Sequence, residues 1–161
     1  MFERIDRRIL STSLALFQPE IAENAGAATR AAACFGADLH IIEPCGFPIG
    51  AKGFSRVAMD YGLLAPPSLH KSWEAFRENA AKSGRLILLT TKASISIWDA
   101  DLAENDFLIL GQESAGVPDE VHDQVDLRIR IPIASNARSL NVATAGAIAL
   151  AEYARRDAVG A

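Results

Sequence analysis

The sequence predicts an α/β protein: a parallel sheet with helices on both faces. Three observations point there. Short apolar runs of strand length alternate with helical patterns along the chain. Two of those runs, Leu86–Thr90 and Phe107–Leu110, are almost continuously apolar, as strands covered on both sides are. Polar or glycine-bearing loops follow the strands, where parallel sheets bind their ligands.

The elements follow in order. A polar arm, residues 1–10, precedes a first strand at Leu14–Phe17. Asn24–Phe35 is an Ala-rich helix stopped by Gly36, with Asn24 as its candidate N-cap. Leu39–Ile42 is the second strand. After a Gly- and Pro-rich loop from Pro44 to Gly53, Phe54–Asp60 forms a short helix and Leu63–Ala65 a short strand ended by Pro66-Pro67. Ser68 or Ser72 caps a helix through Ala81 that places Trp73, Phe76 and Ala80 on one face. The strands Leu86–Thr90 and Phe107–Leu110 come next, then a short helix from Pro118. A strand Leu127–Ile131 and an Ala-rich helix from about Leu140 to Arg156 complete the pattern.

Composition bounds the function. A chain of 161 residues fits one domain, 1–161, which buries enough surface to fold without metal or disulfide. No apolar run reaches the ~18 residues of a membrane span. A net charge of −4 argues against binding nucleic acid by bulk charge. The charge is divided, however. Nine acidic residues and no Lys or Arg fall between Ala93 and Leu127, whereas Arg128, Arg130, Arg138, Arg155 and Arg156 follow. Twelve of the sixteen cations are Arg, whose planar fork suits phosphate. Cys34 and Cys45 form no metal-spaced pair, and His40, His70 and His122 are scattered, which reads as structural or solvated. The N-terminus lacks the pattern of a secretory signal, so a cytoplasmic location is expected.

Three loops hold residues that packing does not require. Glu23 to Arg30 enters the first helix: Asn24 either caps it or contacts a ligand, and Arg30 stands among alanines as a candidate anion or hydroxyl contact. Leu110 to Pro118 carries Gly111 and Gly116, which permit close backbone approach, and the carboxylate of Glu113. Ile131 to Asn141 brings Arg138, Ser139 and Asn141 to the start of the last helix, where free amides favour an anion or nucleotide. Gly-x-Gly-x-x-Gly, P-loop and Gly-x-Ser-x-Gly patterns are missing, which weighs against dinucleotide, ATP and serine-hydrolase chemistry.

Together the three loops resemble the ordered motifs of the SPOUT ribose 2′-O-methyltransferases. They read Asn24-x-Gly26-x-x-x-Arg30, then Leu110-Gly111-x-Glu113-x-x-Gly116-Val117-Pro118, then Arg130-Ile131-Pro132 with Arg138-Ser139-Leu140-Asn141. Gln18-Pro19-Glu20-Ile21, His40-Ile41-Ile42-Glu43-Pro44-x-Gly46-Phe47 and Leu89-Thr90-Thr91-Lys92 narrow the resemblance to small tRNA (cytidine/uridine-2′-O)-methyltransferases acting at the wobble nucleotide.

The resemblance implies a C-terminal deep trefoil knot that holds S-adenosylmethionine among Leu89, Thr90, Gly111, Gly116, Ile131, Ser139 and Leu140. It implies Arg30, Glu113 and Asn141 as catalytic residues and Asn24 and Arg138 as substrate contacts. It also implies a homodimer whose active site is completed across the interface, a tRNA anticodon stem-loop as partner, and neither metal nor membrane. A guanidinium is always charged at neutral pH, so Arg30 is read as positioning phosphate and hydroxyl rather than taking the proton. Two alternatives stand beside this reading: a ribosomal RNA ribose methyltransferase of the same superfamily, and a silent RNA-binding module. The short stretch before the first strand, without an added RNA-binding domain, favours tRNA over the first. The retention of Asn24, Arg30, Glu113, Ser139 and Asn141 together argues against the second. The sequence departs from the family after Asn141, with Val142-Ala143-Thr144, and at Ala151-Glu152-Tyr153.

Overall fold

The computed structural model describes residues 10–49 and 52–160. Most of the polar arm therefore lies outside the described residues. Seven strands, β1 (Ser13–Phe17), β2 (Asp38–Ile42), β3 (Ser68–His70), β4 (Leu86–Leu89), β5 (Ile95–Ser96), β6 (Phe107–Leu110) and β7 (Leu127–Arg130), form one sheet in the order β3-β2-β1-β6-β4-β7-β5. Every pairing is parallel. The helices are α1 (Ala22–Phe35), α2 (Lys52–Ala58), α3 (Tyr61–Leu64), α4 (Trp73–Ala80), α5 (Asp119–Gln124) and α6 (Val142–Gly160).

Alternate strand residues feed two cores, as a pleated strand requires. Leu14, Leu16, Ile41, Ile87, Leu108 and Ile129 pack with the alanines of α1 and α6. Ala15, Phe17, Ile42, Leu86, Leu88 and Ile109 pack with Trp73 and Phe76 of α4 and Val121 of α5. Both faces are covered, and the uninterrupted apolar runs are the sequence trace of that burial.

Two expectations need correction. Leu63–Ala65 is not a strand: Tyr61–Leu64 is a helical turn closed by the Ala65 amide on the Tyr61 carbonyl at 2.9 Å, and the strand follows the prolines at Ser68–His70. Pro66 and Pro67 have no N–H to give to a ladder, so pairing with β2 begins only after them. The first helix starts at Ala22, and Asn24 is not its N-cap: Ile21 holds that position without a side-chain hydrogen bond. The amides of Glu20 and Ile21, just before the helix, are met from another segment, described below. Of the two candidate serines, Ser72 caps α4, accepting from the Ala75 amide at 3.1 Å. The two-residue β5 is too short to leave a periodic signal.

Polar groups inside the fold are paired. Asp106 is fully buried and accepts from Arg85 Nε and Nη2, each at 2.9 Å, from the Ala103 amide and from the Tyr153 hydroxyl. Burial, with the Asp106 charge beside it, pushes the Tyr153 phenol well above its ordinary range. Tyr153, one of the departures from the family pattern, thus anchors α6 within its own chain. Arg155 and then Arg156 hold the buried Glu152 carboxyl down to about 2. Arg156 also donates to the carbonyls of Ile97, Trp98 and Ala100, fastening α6 to the segment after β5. His40 Nδ1 lies 2.9 Å from His70 Nε2 against Phe76 and Phe107, and burial holds both imidazoles below their usual range.

Candidate active site

The C-terminal ends of β4 and β6, the segment after β7 and the starts of α1 and α6 surround a cavity of about 750 Å³. Leu89 and Thr90 come from the end of β4, Gly111, Glu113 and Gly116 from the loop after β6. Ile131, Arg138, Ser139, Leu140 and Asn141 come from the segment between β7 and α6, and Asn24 from the first turn of α1. Residues as far apart as 24 and 113 meet here because β1 and β6 are neighbours in the sheet, and Asn141 joins them because α6 packs against α1.

The loop after β6 is shaped by its two glycines. Gln112 and Gly116 exchange backbone hydrogen bonds at 2.8 and 3.0 Å, folding the loop back on itself. A Cβ on Gly111 would stand 2.6 Å from the Gly116 carbonyl carbon, and Gly116 has φ +64°. Both positions therefore need glycine, one for close approach and one for its left-handed backbone.

A chain of polar side chains crosses the cavity wall. Asn141 Nδ2 donates to Asn24 Oδ1 at 2.9 Å, and Asn24 Nδ2 donates to Glu113 Oε1 at 3.4 Å. Glu113 also accepts from the backbone amides of Glu20 at 3.0 Å and Ile21 at 3.3 Å. This carboxylate ties down the two residues that lead into α1, at the positive end of the helix. Asn141 caps α6, its Oδ1 accepting from the Ala143 and Thr144 amides.

Arg30 alone among the sequence candidates lies outside the cavity. It sits six residues after Asn24 on α1, about 9 Å along the axis and about 240° around it. Its side chain is exposed, with the guanidinium 5.8 Å from the centre of the Tyr61 ring. His122, read from sequence as structural or solvated, is half-buried and lines the cavity. Ile133 and Ala145 also line it. Ile133 was legible as the second apolar residue of Ile131-Pro132-Ile133, and Ala145 as one helical turn after Asn141.

The residues present suit a nucleoside-bearing methyl donor. Leu89, Ile131 and Leu140 offer apolar surface, the glycine loop leaves backbone close to the space, and the asparagines and Arg138 supply polar groups. Among the described residues no three His, Cys, Asp or Glu side chains are placed to hold a metal ion, and no helix is long and apolar enough to cross a membrane.

Residues 11–151 match the SpoU rRNA Methylase family. The chain belongs to this family. A relative from Ancylobacter novellus named tRNA (cytidine(34)-2′-O)-methyltransferase is 49% identical over 148 residues, covering 91% of this chain and 94% of the relative. A solved structure described as giving structural insights into the 2-OH methylation of C/U34 on tRNA is 36% identical with a TM-score of 0.86, covering 93% of this chain and 97% of the other. An AdoMet-bound rRNA methyltransferase from Sinorhizobium meliloti is 26% identical with a TM-score of 0.81, and its match covers 90% of this chain but 56% of its own. These SpoU-family likenesses span both sequence and fold, and the cavity lies within the matched residues.

Proposed function

We propose that this protein transfers the methyl group of S-adenosylmethionine to the ribose 2′-OH of nucleotide 34, cytidine or uridine, in a tRNA anticodon loop. The hydrogen-bonded chain Asn141–Asn24–Glu113 carries the reading, because it sets two amide side chains rigidly in a cavity suited to the donor. The 49% identity to a tRNA (cytidine(34)-2′-O)-methyltransferase over nearly the whole chain supports the substrate.

When bound, S-adenosylmethionine supplies a sulfonium methyl that needs no further activation, so the protein's task is alignment, control of one proton and exclusion of water. Leu89, Thr90, Gly111, Gly116, Ile131, Ser139 and Leu140 hold the donor. Asn24 and Asn141 orient the ribose hydroxyl, and Arg138 meets the RNA backbone. Glu113 already accepts from two backbone amides and Asn24, so it positions Asn24 rather than taking the proton.

Arg30, exposed and turned from its own cavity, serves the cavity of a second copy, where its charge holds the hydroxyl and the adjacent phosphate. The working unit is accordingly a cytoplasmic homodimer of single-domain chains, with no metal. In each chain the segment from β7 through its loop into α6 forms the deep trefoil knot, a reading supported by the place of β7 between β4 and β5.

The test offers the purified protein labelled S-adenosylmethionine and total RNA from cells lacking the gene. Label is expected in the tRNA fraction. Label confined to ribosomal RNA would refute the substrate.

A further inference from the structure

Two carboxylates tie the β1–α1 connection to the loop after β6, and each reaches into the other's segment. Glu20 Oε1 accepts from the Ser114 amide at 3.2 Å and from its hydroxyl at 2.7 Å, while Oε2 lies 3.0 Å from the same hydroxyl. In return Glu113 accepts from the Glu20 amide. Gln112 Nε2 donates to Gln18 Oε1 at 3.4 Å. Three consecutive residues of the loop, 112 to 114, are thus each bonded to the segment 18–24.

Neither carboxylate forms an ion pair among the described residues. Two like charges drawn together without a cation are unfavourable unless donors compensate them, and here amides, a hydroxyl and Asn24 do so. The result is geometric. Gly111, Glu113, Ser114, Gly116 and Asn24 all line the cavity, and the reciprocal contact fixes the loop against Asn24. Glu20 does not line the cavity and acts only through Ser114 and its own backbone amide.

We propose that Glu20 is a positioning residue for methyl transfer, its carboxylate holding the donor-side loop Gly111–Gly116 in register with Asn24 through Ser114. This rests on the function proposed above. Loosening the clasp disturbs donor binding and alignment together, and it leaves the docking of RNA on the outer surface in place.

The experiment uses the full chain with Glu20→Ala, Glu20→Gln, Ser114→Ala and the double variant Glu20→Ala/Ser114→Ala. S-Adenosylhomocysteine affinity is read by calorimetry, and kcat and KM are read with tRNA. Ser114→Ala is expected to lower S-adenosylhomocysteine affinity and kcat by about tenfold, the effect of one charge-assisted hydrogen bond, and Glu20→Ala, which also frees the Ser114 amide, by at least as much, each with KM for tRNA within about twofold. Glu20→Gln, which keeps an acceptor for the hydroxyl, recovers most of the loss. The double variant is no worse than Glu20→Ala alone, because both changes break the same contact.

Unchanged affinity and kcat in Glu20→Ala, or losses that multiply in the double variant, would overturn the proposal. If Glu20→Ala does not fold, Ser114→Ala decides it, and unchanged affinity and kcat there refute the clasp. If the unaltered protein methylates no tRNA, the function proposed above falls, and the S-adenosylhomocysteine series still decides whether Glu20 positions the loop.

Discussion

Replacing Glu113 with Gln separates two roles that a carboxylate in this cavity has on paper. As a positioning group, Glu113 accepts three hydrogen bonds, at 3.0, 3.3 and 3.4 Å, two of them from the amides just before α1. The shortest is worth about 1.5 kcal/mol as a charge-assisted bond, and the charge at the helix terminus adds about 0.5 kcal/mol. Gln keeps one carbonyl acceptor, loses the charge and turns an NH₂ toward a donor. The expected loss is therefore about 2 kcal/mol of stability, a fall in Tm of about 4–8 °C for a domain of this size. Methyl transfer under single-turnover conditions should fall by about tenfold through the displaced Asn24, with its pH profile unchanged. A general base is worth about 10²–10⁴ in rate and leaves its titration in the pH profile. Thermal unfolding and single-turnover transfer across pH measure both sides. A collapse of rate beyond about 10³-fold with unchanged Tm would refute the positioning argument and make Glu113 the proton acceptor.

Arg30→Ala should reduce methyl transfer by at least about 10²-fold while S-adenosylhomocysteine affinity stays within about twofold, since the residue lies outside its own cavity. Mixing Arg30→Ala chains with Asn24→Ala chains should restore part of the activity, and the absence of any restoration would count against a site shared between copies. Asp106→Ala leaves Arg85 and the Tyr153 hydroxyl without their buried acceptor and should cost about 3–5 kcal/mol, read by denaturant unfolding. A cost below about 1 kcal/mol would show that the site rehydrates without penalty. Burial depresses both His40 and His70, so the unfolded chain binds protons more readily than the folded one, and stability should decline as pH falls through about 6.5. His40→Gln should flatten that decline, and an equal pH dependence in this variant would place its origin elsewhere.

The sheet was legible because burial on both faces writes strands such as Leu86–Leu89 and Phe107–Leu110 as plain apolar runs. Three-residue β3 and two-residue β5 lie below the length at which periodicity speaks, and at β3 the chain needed two prolines to pass before pairing could begin. Within the site, the residue types and loops were legible, and the contacts were not. Asn24 looks like an N-cap because Asn before an alanine run usually is one, but it lies inside the first turn of α1 and its side chain bonds Glu113, 89 residues away in sequence. Glu20 stands in the segment Gln18-Pro19-Glu20-Ile21 that carries part of the family resemblance, but its partner Ser114 lies 94 residues distant and the contact leaves no local pattern. Arg30 was marked by its isolation among alanines, yet only the turn of the helix reveals that it points away from the cavity. Long-range polar contacts depend on which strands become neighbours, and neighbour order is not written in local pattern.

The most direct test of the central claim is methyl transfer to two synthetic anticodon stem-loops that differ by one atom. One carries an ordinary ribose at position 34 and the other a 2′-deoxyribose there, each incubated with purified protein and labelled S-adenosylmethionine. The account predicts one labelled methyl on the first, located at the 2′-oxygen of nucleotide 34 by mass spectrometry, and none on the second. Equal labelling of both would place the methyl elsewhere and contradict it.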